Sequence, residues 1–373
     1  MMPLVTVVTP SYNQGRFIRK TIESVLAQDY ENIEYLVIDG GSTDETLDIL
    51  KEYDGRLTYI SEKDQGQSDA INKGFKMAKG EIVAWLNSDD VYEPGCIKSA
   101  VEEFGKDENI GLVYADGYII DEGGNKLKIF EYTQEFDFWK LVNFWDYIMQ
   151  PATFFRANYL EQVGYLDIGL HYCMDWDLWI KLASVSEVKY VHELWACSRE
   201  YEETKTSTGG EERLEEITKL LQKYSKKKRP LGVLSYRAST YYNKYAKGFL
   251  SRLFMEKYLV YIHQKLSKQM PVLYQDGWIG KEYSMIIPNT KRRCRILFEA
   301  IRNEGLPNKL CVFADHKLVC EKYIKEPGEF QIEFEINNYE EERVELNFRC
   351  SRTFKVPKDS RELSLRIKQM AII

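Results

Sequence analysis

The stretch "EIVAWLNSDD", residues 81–90, decides the fold. An apolar run ends abruptly in Asn87, Ser88, Asp89 and Asp90. A short apolar run bounded by turn residues reads as a buried strand, and the polar tetrad marks where the chain leaves the sheet. Two adjacent carboxylates repel each other, so this turn needs water or a cation around it. The residues by themselves fit both. "NSDD" is good turn chemistry, and Mg2+ or Mn2+ takes oxygen ligands, often one or two carboxylates plus substrate phosphates.

Upstream, the strand pattern repeats in "LVTVVTP" (4–10), "IEYLVIDGG" (33–41) and "RLTYISE" (56–62). Between these runs, "GRFIRKTIESVLAQ" (15–28) places Phe17, Ile18, Ile22, Val25 and Leu26 on one helical face. "SDAINKGFKMAKG" (68–80) does the same with Ala70, Ile71, Gly74, Phe75 and Ala78. Ser42 and Glu45 have capping-box spacing, and Gly80 is placed to end the later helix. Strands alternating with helices predict an α/β fold with a mostly parallel, Rossmann-like sheet covered on both faces. Right-handed crossovers then bring the loops at 9–14, 39–44, 62–69 and 87–90 to one crevice.

Downstream, "CIKSAVEEFGKD" and "MDWDLWIKLASV" read as helices, and "IGLVYADGYIID" and "VKYVHELWACSRE" as strands. "YEETKTSTGG" (201–210) is small and polar, which predicts a mobile loop. An amphipathic helix follows and ends in a basic cluster, Lys226 to Arg229, and residues 236–266 read as a second long helical stretch. After Pro271, alternating runs such as "CRILFEAI" and "FQIEFEIN" have the spacing of an all-β sandwich or jelly roll. The pattern divides into a transferase-like domain over 1–210, a helical linker over 211–275 and a sandwich over 276–373.

Composition sets limits on function. With 51 Lys+Arg against 58 Asp+Glu the net charge is −7, which argues against a sequence-independent nucleic-acid binder. The 7 cysteines form no CxxC pair and no zinc spacing, and read as reduced thiols of a cytosolic protein. The N-terminus lacks the pattern of a signal peptide, and no apolar run reaches membrane-spanning length. Membrane contact is therefore expected to be peripheral, at the inner face. No Gly-rich phosphate loop is present. Asp39, at a strand end, suits a hydrogen bond from a base or ribose hydroxyl, and Tyr12 suits base stacking. Both also suit ordinary turn positions.

Together, "VVTPSYNQGRFIRKTIESVLAQ", "YLVIDGGSTDET", "DQGQSDAINKGFKMAKGEIVAWLNSDD" and "QPATFF…VGYLDIGLHYCMDWDLWIKL" resemble the family 2 glycosyltransferases over roughly residues 3–200. The resemblance implies the A-type glycosyltransferase fold and an inverting, nucleotide-sugar-dependent transfer, with a UDP-linked sugar the expected donor. It implies that Pro10 and Tyr12 hold the base, that Asp39 reads it, and that Asp69 and Asn72 lie in the segment following the nucleotide. "NSDD" becomes the metal motif, with Asp90 the ligand of Mn2+ or Mg2+ and Asp89 nearer the ribose. Asn87 stands where many relatives carry Asp. "MDWD" becomes the base motif, with Asp175 as base and Asp177 as its rival. Two residues apart on a helix, only one of them can face a pocket. Arg199 becomes a diphosphate contact, although Tyr201 replaces the His of the usual Arg-x-His.

Further readings follow from these. Trp176 and Trp179 flank the base candidate and suit stacking on an acceptor sugar, with one of the two expected in the core. His171 and His192 read as structural. The basic cluster is a solvated helix end or a weak anchor for anionic lipid. The C-terminal strands, with "DSRELS" before the last one, resemble a sandwich appended to some bacterial sugar transferases, a carbohydrate-binding or assembly module. The implied function is sugar transfer to a glycan or lipid-linked acceptor in surface polysaccharide synthesis. The competing readings are a sugar nucleotidyltransferase, which needs the basic Gly-rich loop that "TPSYNQGR" lacks, and a non-catalytic glycan-binding scaffold.

Overall fold

The computed structural model describes residues 2–202, 204–245, 257–258, 261–262, 278–279, 282–288, 293–300, 306–314, 317–335, 343–353 and 364–372. These form two compact units, one over Met1–Phe136 and Lys140–Met255, the other over Asp137–Trp139 and Glu256–Ile373.

The first unit begins with the alternation read from the sequence. Strands β1 (Val5–Ser11), β2 (Ile33–Asp39), β3 (Thr58–Ser61) and β4 (Ile82–Trp85) alternate with helices α1 (Gly15–Leu26), α2 (Thr46–Lys51) and α3 (Gln67–Met77). All pair in parallel, in the order β3-β2-β1-β4. β1 and β4 are buried along their whole length, as strands covered by helices on both faces must be. Helix α1 turns Phe17, Ile18, Ile22 and Val25 inward. Helix α3 lies so close to the sheet that a Cβ on Gly74 would sit 2.3 Å from Val8 Cγ1. Residues Ser11, Asp39 and Ser61 pair in register, so the ends of β1, β2 and β3 share one edge.

Two local expectations are corrected. Ser42 does not cap α2, whose N-cap is Glu45 with no side-chain bond; its hydroxyl turns back to Asp39 instead. Gly80 does not end α3, which stops at Met77. A Cβ at Gly80 would meet Thr6 N at 2.6 Å, so the glycine permits close backbone approach to β1.

The chain continues through β5 (Val91–Tyr92), α4 (Cys96–Phe104), β6 (Ile110–Ile120), β7 (Lys126–Ile129) and α5 (Phe138–Asn143). It then forms β8 (Thr153–Arg156), α6 (Ala157–Val163), α7 (Met174–Val185) and β9 (Glu187–Arg199). The full sheet order is β3-β2-β1-β4-β8-β6-β9-β5, with β7 hydrogen-bonded to β6. β8, from the "QPATFF" segment, is antiparallel to both β4 and β6. The sheet is therefore parallel from β3 to β4 and mixed beyond.

The segment 201–210, expected to be a mobile loop, contains a short helix α8 (Lys205–Thr208) and is held by side-chain bonds described below. Helix α9 (Gly210–Ser225) buries Leu214, Ile217, Leu220 and Leu221. Helix α10 (Leu231–Tyr245) follows, and both helices belong to the first unit. Residues 246–256 of the second helical stretch lie outside the described residues.

The second unit contains β10 (Trp278–Ile279), β11 (Glu282–Pro288), β12 (Arg293–Ala300), β13 (Asn308–Ala314), β14 (Lys317–Ile324), β15 (Gly328–Glu335), β16 (Arg343–Cys350) and β17 (Leu365–Ile372). They form two antiparallel sheets, β10-β17-β12-β15 and β11-β16-β13-β14. Ile296 and Phe298 from one sheet share a core with Leu310, Val312, Leu346 and Phe348 from the other. Alternate burial along β13 is the signature of such a sandwich. Of "DSRELS", all but Ser364 lies outside the described residues. The seven cysteines carry no disulfide.

Candidate active site

The parallel strand ends build the first wall. Asp39 is fully buried, and its carboxylate accepts hydrogen bonds from Gly41 N (3.0 Å), Ser42 N (2.9 Å), Ser61 Oγ (2.6 Å) and the Ser42 hydroxyl. Gly41, at φ +82°, makes that tight turn possible. Asn13 staples the neighbouring loop, donating its N–H to Ser42 Oγ and accepting from Thr43 N. Asp39 thus fixes the loop from within. Tyr12 beside it is 61% exposed. Gly40 lies between Tyr12 and Asp64: a Cβ there would meet Asp64 Oδ2 at 2.6 Å and Tyr12 Cδ2 at 3.4 Å. The carboxylate presented next to Tyr12 is therefore Asp64, which the sequence did not single out. Pro10 is buried within β1.

The acidic turn follows β4. Asp90 is 4% exposed; its Oδ1 accepts Arg199 N at 2.9 Å and its Oδ2 accepts Asn87 Nδ2 at 3.2 Å. Asp89 Oδ2 accepts the Tyr201 hydroxyl at 2.8 Å. Burial pushes the Asp90 carboxyl up to about 8, helped by the charge of Asp89 and opposed by the bonds from Arg199 and Asn87. Burial also raises Asp89. Two neighbouring carboxyls both raised mark a place short of positive charge.

The charge of Arg199 favours both carboxylates but does not outweigh their burial. Arg199 Nε donates to Asp89 O at 2.7 Å, and its Nη1 donates to Asp121 O and Glu122 O at 2.8 and 2.9 Å. The guanidinium clamps the acidic turn to the β6–β7 hairpin and is itself 3% exposed. Asn87 uses its whole amide. Oδ1 accepts Gln67 Nε2 and Trp85 Nε1, each at 2.8 Å, while Nδ2 donates to Asp90 and to Gln150 Oε1. An aspartate here would lose that donor and add a third negative charge beside Asp90.

The opposite wall is the start of α7. Asp175 is half-buried, and its Oδ1 accepts the adjacent Trp176 N–H at 2.8 Å. Burial raises its carboxyl. Asp146 is also pushed well up, by burial and then by the charge of Asp175. Asp177 differs. It is fully buried, accepts the Tyr224 hydroxyl, and pairs with Lys223 at 2.9 Å and Lys181 at 3.0 Å. Burial opposes its ionisation, but these partners outweigh it and hold the carboxyl below its ordinary range.

Of the two tryptophans that flank Asp175, not one but both are core residues. Trp176 is 2% exposed and donates Nε1 to Leu141 O, and Trp179 is fully buried and stacked on Trp85. His192 pairs with Glu135 at 2.8 Å. Backbone N–H groups of His171, Tyr172 and Cys173 converge on the carboxylate of Glu216, at 2.9, 2.6 and 2.7 Å. Glu216 therefore holds the loop that leads into Asp175.

Helix α3 joins the walls. Asp69 accepts Gln65 N at 3.1 Å and lies 3.5 Å from Lys73. Asn72 makes a two-way bond with the Leu166 backbone, at 2.9 and 3.0 Å. Both shape the helix and its neighbours. Gln67, one turn earlier, takes Lys205 Nζ on its Oε1 at 2.7 Å. Burial pulls the Lys205 amine down, while Asp175 and Glu216 pull it up. A continuous chain thus runs Asp90–Asn87–Gln67–Lys205 toward Asp175. Gln67 lies inside a motif the sequence displays, whereas Lys205, Glu216 and Asp146 reach the site only through tertiary folding.

Residues 6–163 match the family described as Glycosyl transferase family 2. An uncharacterized glycosyltransferase of Rickettsia prowazekii (strain Madrid E) is 31% identical over 300 residues, covering 78% of this chain and 86% of the relative. A chondroitin synthase of Escherichia coli is 29% identical over 196 residues, covering 52% of this chain and 28% of that enzyme. Among solved structures, S. aureus TarS 1–349 in complex with UDP-GlcNAc aligns with a TM-score of 0.48 at 17% identity, over 70% of this chain and 71% of that one. The mannosyltransferase PcManGT from Pyrobaculum calidifontis, in complex with GDP-Man and Mn2+, gives 0.49 at 17% identity, over 72% and 84%. The chain belongs to glycosyl transferase family 2. Its chemistry is glycosyl transfer.

Proposed function

We propose that the protein moves a sugar, with inversion, from a nucleoside-diphosphate donor to a hydroxyl of a glycan or lipid-linked acceptor in surface polysaccharide synthesis. The donor in this reading is UDP-linked, and the enzyme works in the cytoplasm, where such donors are made. One observation carries it: two carboxylate centres are raised by burial, Asp89–Asp90 and Asp175, and a hydrogen-bond chain runs from Asp90 through Asn87 and Gln67 to Lys205, whose amine feels the charge of Asp175. An inverting displacement needs such a pair of poles, one for the leaving diphosphate and one for the acceptor proton. The likeness to a chondroitin synthase supports a glycan acceptor.

At the leaving-group pole, Asp90 would hold Mn2+ or Mg2+, with Asp89 beside it toward the ribose. Among the described residues no cluster of three or more His, Cys, Asp or Glu has metal-holding geometry. One or two carboxylates completed by diphosphate oxygens is the coordination Mg2+ favours with nucleotides. When bound, the ion stabilises negative charge on the departing diphosphate. Tyr12 and Asp64 offer the base and ribose a ring face and a carboxylate, with Asp39 fixing their loop. Arg199 and Tyr201 hold Asp89 and Asp90 in place, and Lys205 presents an amine between the poles. At the acceptor pole, Asp175 takes the hydroxyl proton while the oxygen attacks the anomeric carbon from the face opposite the diphosphate. Asp177, neutralised by two lysines and a tyrosine, fixes the helix.

A thermal-shift screen of nucleotide sugars with Mn2+, followed by transfer assays, tests this reading. Asp175→Asn is expected to keep the donor-induced shift and to lose about a hundred- to ten-thousandfold in transfer. Transfer by Asp175→Asn at the wild-type rate overturns it.

A further inference from the structure

The basic cluster after α9 divides in two. Lys226 forms the left-handed C-cap of α9, and Lys227 Nζ donates to Asn143 Oδ1 at 2.9 Å. Lys228 and Arg229 are exposed, and their side chains have no hydrogen-bond or ion-pair partner among the described residues. They face a groove of about 570 Å³ between α9 and α10, together with Arg237, whose side chain is likewise exposed and without such a partner among the described residues. The groove wall between these cations is apolar, made by Pro230, Val233 and Leu234. Gln222 Nε2 donates to Lys228 O at 2.9 Å, which fixes the turn that presents the cations.

The apolar surface continues along α10. Leu234, Tyr241 and Tyr245 are 44%, 38% and 54% exposed and stand at helical spacing on one face. A row of leucine and tyrosine beside unpaired cations is the composition of a helix lying in a membrane interface. It does not suit a second copy of this chain, because a two-fold contact would set the same cations against each other. The net charge of −7 makes the patch a local exception, and the leucine–tyrosine row offers nothing to a phosphodiester backbone.

We propose that this groove seats an anionic membrane lipid, with the acyl chain against Pro230, Val233 and Leu234 and the phosphate on Lys228, Arg229 and Arg237. The site has a mechanical link to the transferase site. Helix α9 carries Glu216, which holds the loop before Asp175, and further along the same helix Thr218 and Gln222 line the groove. A membrane engaged here lies on the same helix that positions the acceptor pole. The inference does not depend on the identity of donor or acceptor.

Flotation of the full chain with vesicles tests it. Binding is expected to equimolar phosphatidylcholine and phosphatidylglycerol and not to phosphatidylcholine alone. The exposed triple change Lys228→Gln, Arg229→Gln, Arg237→Gln is expected to weaken partitioning by about a hundredfold at an unchanged melting temperature. Leu234→Ser, with every charge kept, is expected to weaken it several-fold, which separates a seated chain from attraction by charge alone. Transfer to a soluble acceptor should be unaffected by either variant. Equal partitioning of the triple variant and the wild type overturns the proposal. So does undiminished partitioning of Leu234→Ser, binding of inorganic phosphate at these residues without vesicle binding, or a concentration-dependent dimer that the triple change abolishes.

Discussion

The acidic turn after β4 and the start of α7 each carry two aspartates, and the four are not treated alike. Asp89 and Asp90 receive a phenol, an amide and a backbone N–H, and both carboxyls are raised. Asp177 receives Lys181, Lys223 and Tyr224 and is lowered, while Asp175 beside it has no such set and is raised. All four are aspartates at the start of a turn or helix. What separates them is where the protein places positive charge. An aspartate neutralised by its own chain is a structural group, and one left short of charge is available to a cation or a proton.

The comparison can be broken first at the acidic turn. Asp90→Asn is expected to abolish the Mn2+-dependent part of the donor-induced thermal shift and slow transfer by about a hundred- to a thousandfold. Full transfer activity with excess chelator would remove Asp90 from its proposed role. The next largest effect falls on stability. Asp177→Ala leaves two lysines facing a buried gap and should cost about 3–5 kcal/mol, read by urea denaturation. Because the folded Asp177 pKa lies below its ordinary 3.8, its stabilisation is complete above that value and is lost as pH falls through the lower folded one. The acid limb of the stability curve should therefore flatten in this variant.

A smaller effect sharpens the comparison. Asn87→Asp removes the donor to Asp90 and adds negative charge beside it, which should cost about 1–3 kcal/mol without Mn2+. A variant as stable as the wild type at neutral pH would show that the turn is not short of positive charge. The pH profile of transfer offers a further check. With the Asp175 carboxyl raised by burial, transfer should fail on acidification at a pH above that of an ordinary carboxylate.

The parallel half of the fold was legible because its signals are local. Buried β-branched runs and the 3.6-residue spacing of Phe17, Ile18, Ile22 and Val25 belong to single elements. The family motifs likewise lie in continuous segments. Other features were set by partners distant in sequence. Ser42 met Asp39 and Asn13 instead of capping α2, because the two loops share one edge. Segment 201–210 looked loose by composition, yet Tyr201 reaches Asp89 and Lys205 reaches Gln67. Trp176 and Trp179 misled for a different reason. Helix α7 buries Met174, Trp176, Asp177, Leu178, Trp179, Ile180 and Leu182, so it has no polar stripe to reveal which side faces solvent.

The central claim is that Asp175 acts on the acceptor while Asp177 holds the helix. Transfer rate and melting temperature measured side by side for Asp175→Asn and Asp177→Asn test it most directly. The account predicts a crossing: Asp175→Asn loses transfer at an undiminished melting temperature, and Asp177→Asn melts several degrees lower while the folded protein still transfers sugar. Loss of transfer in a fully stable Asp177→Asn, with Asp175→Asn still active, would contradict it.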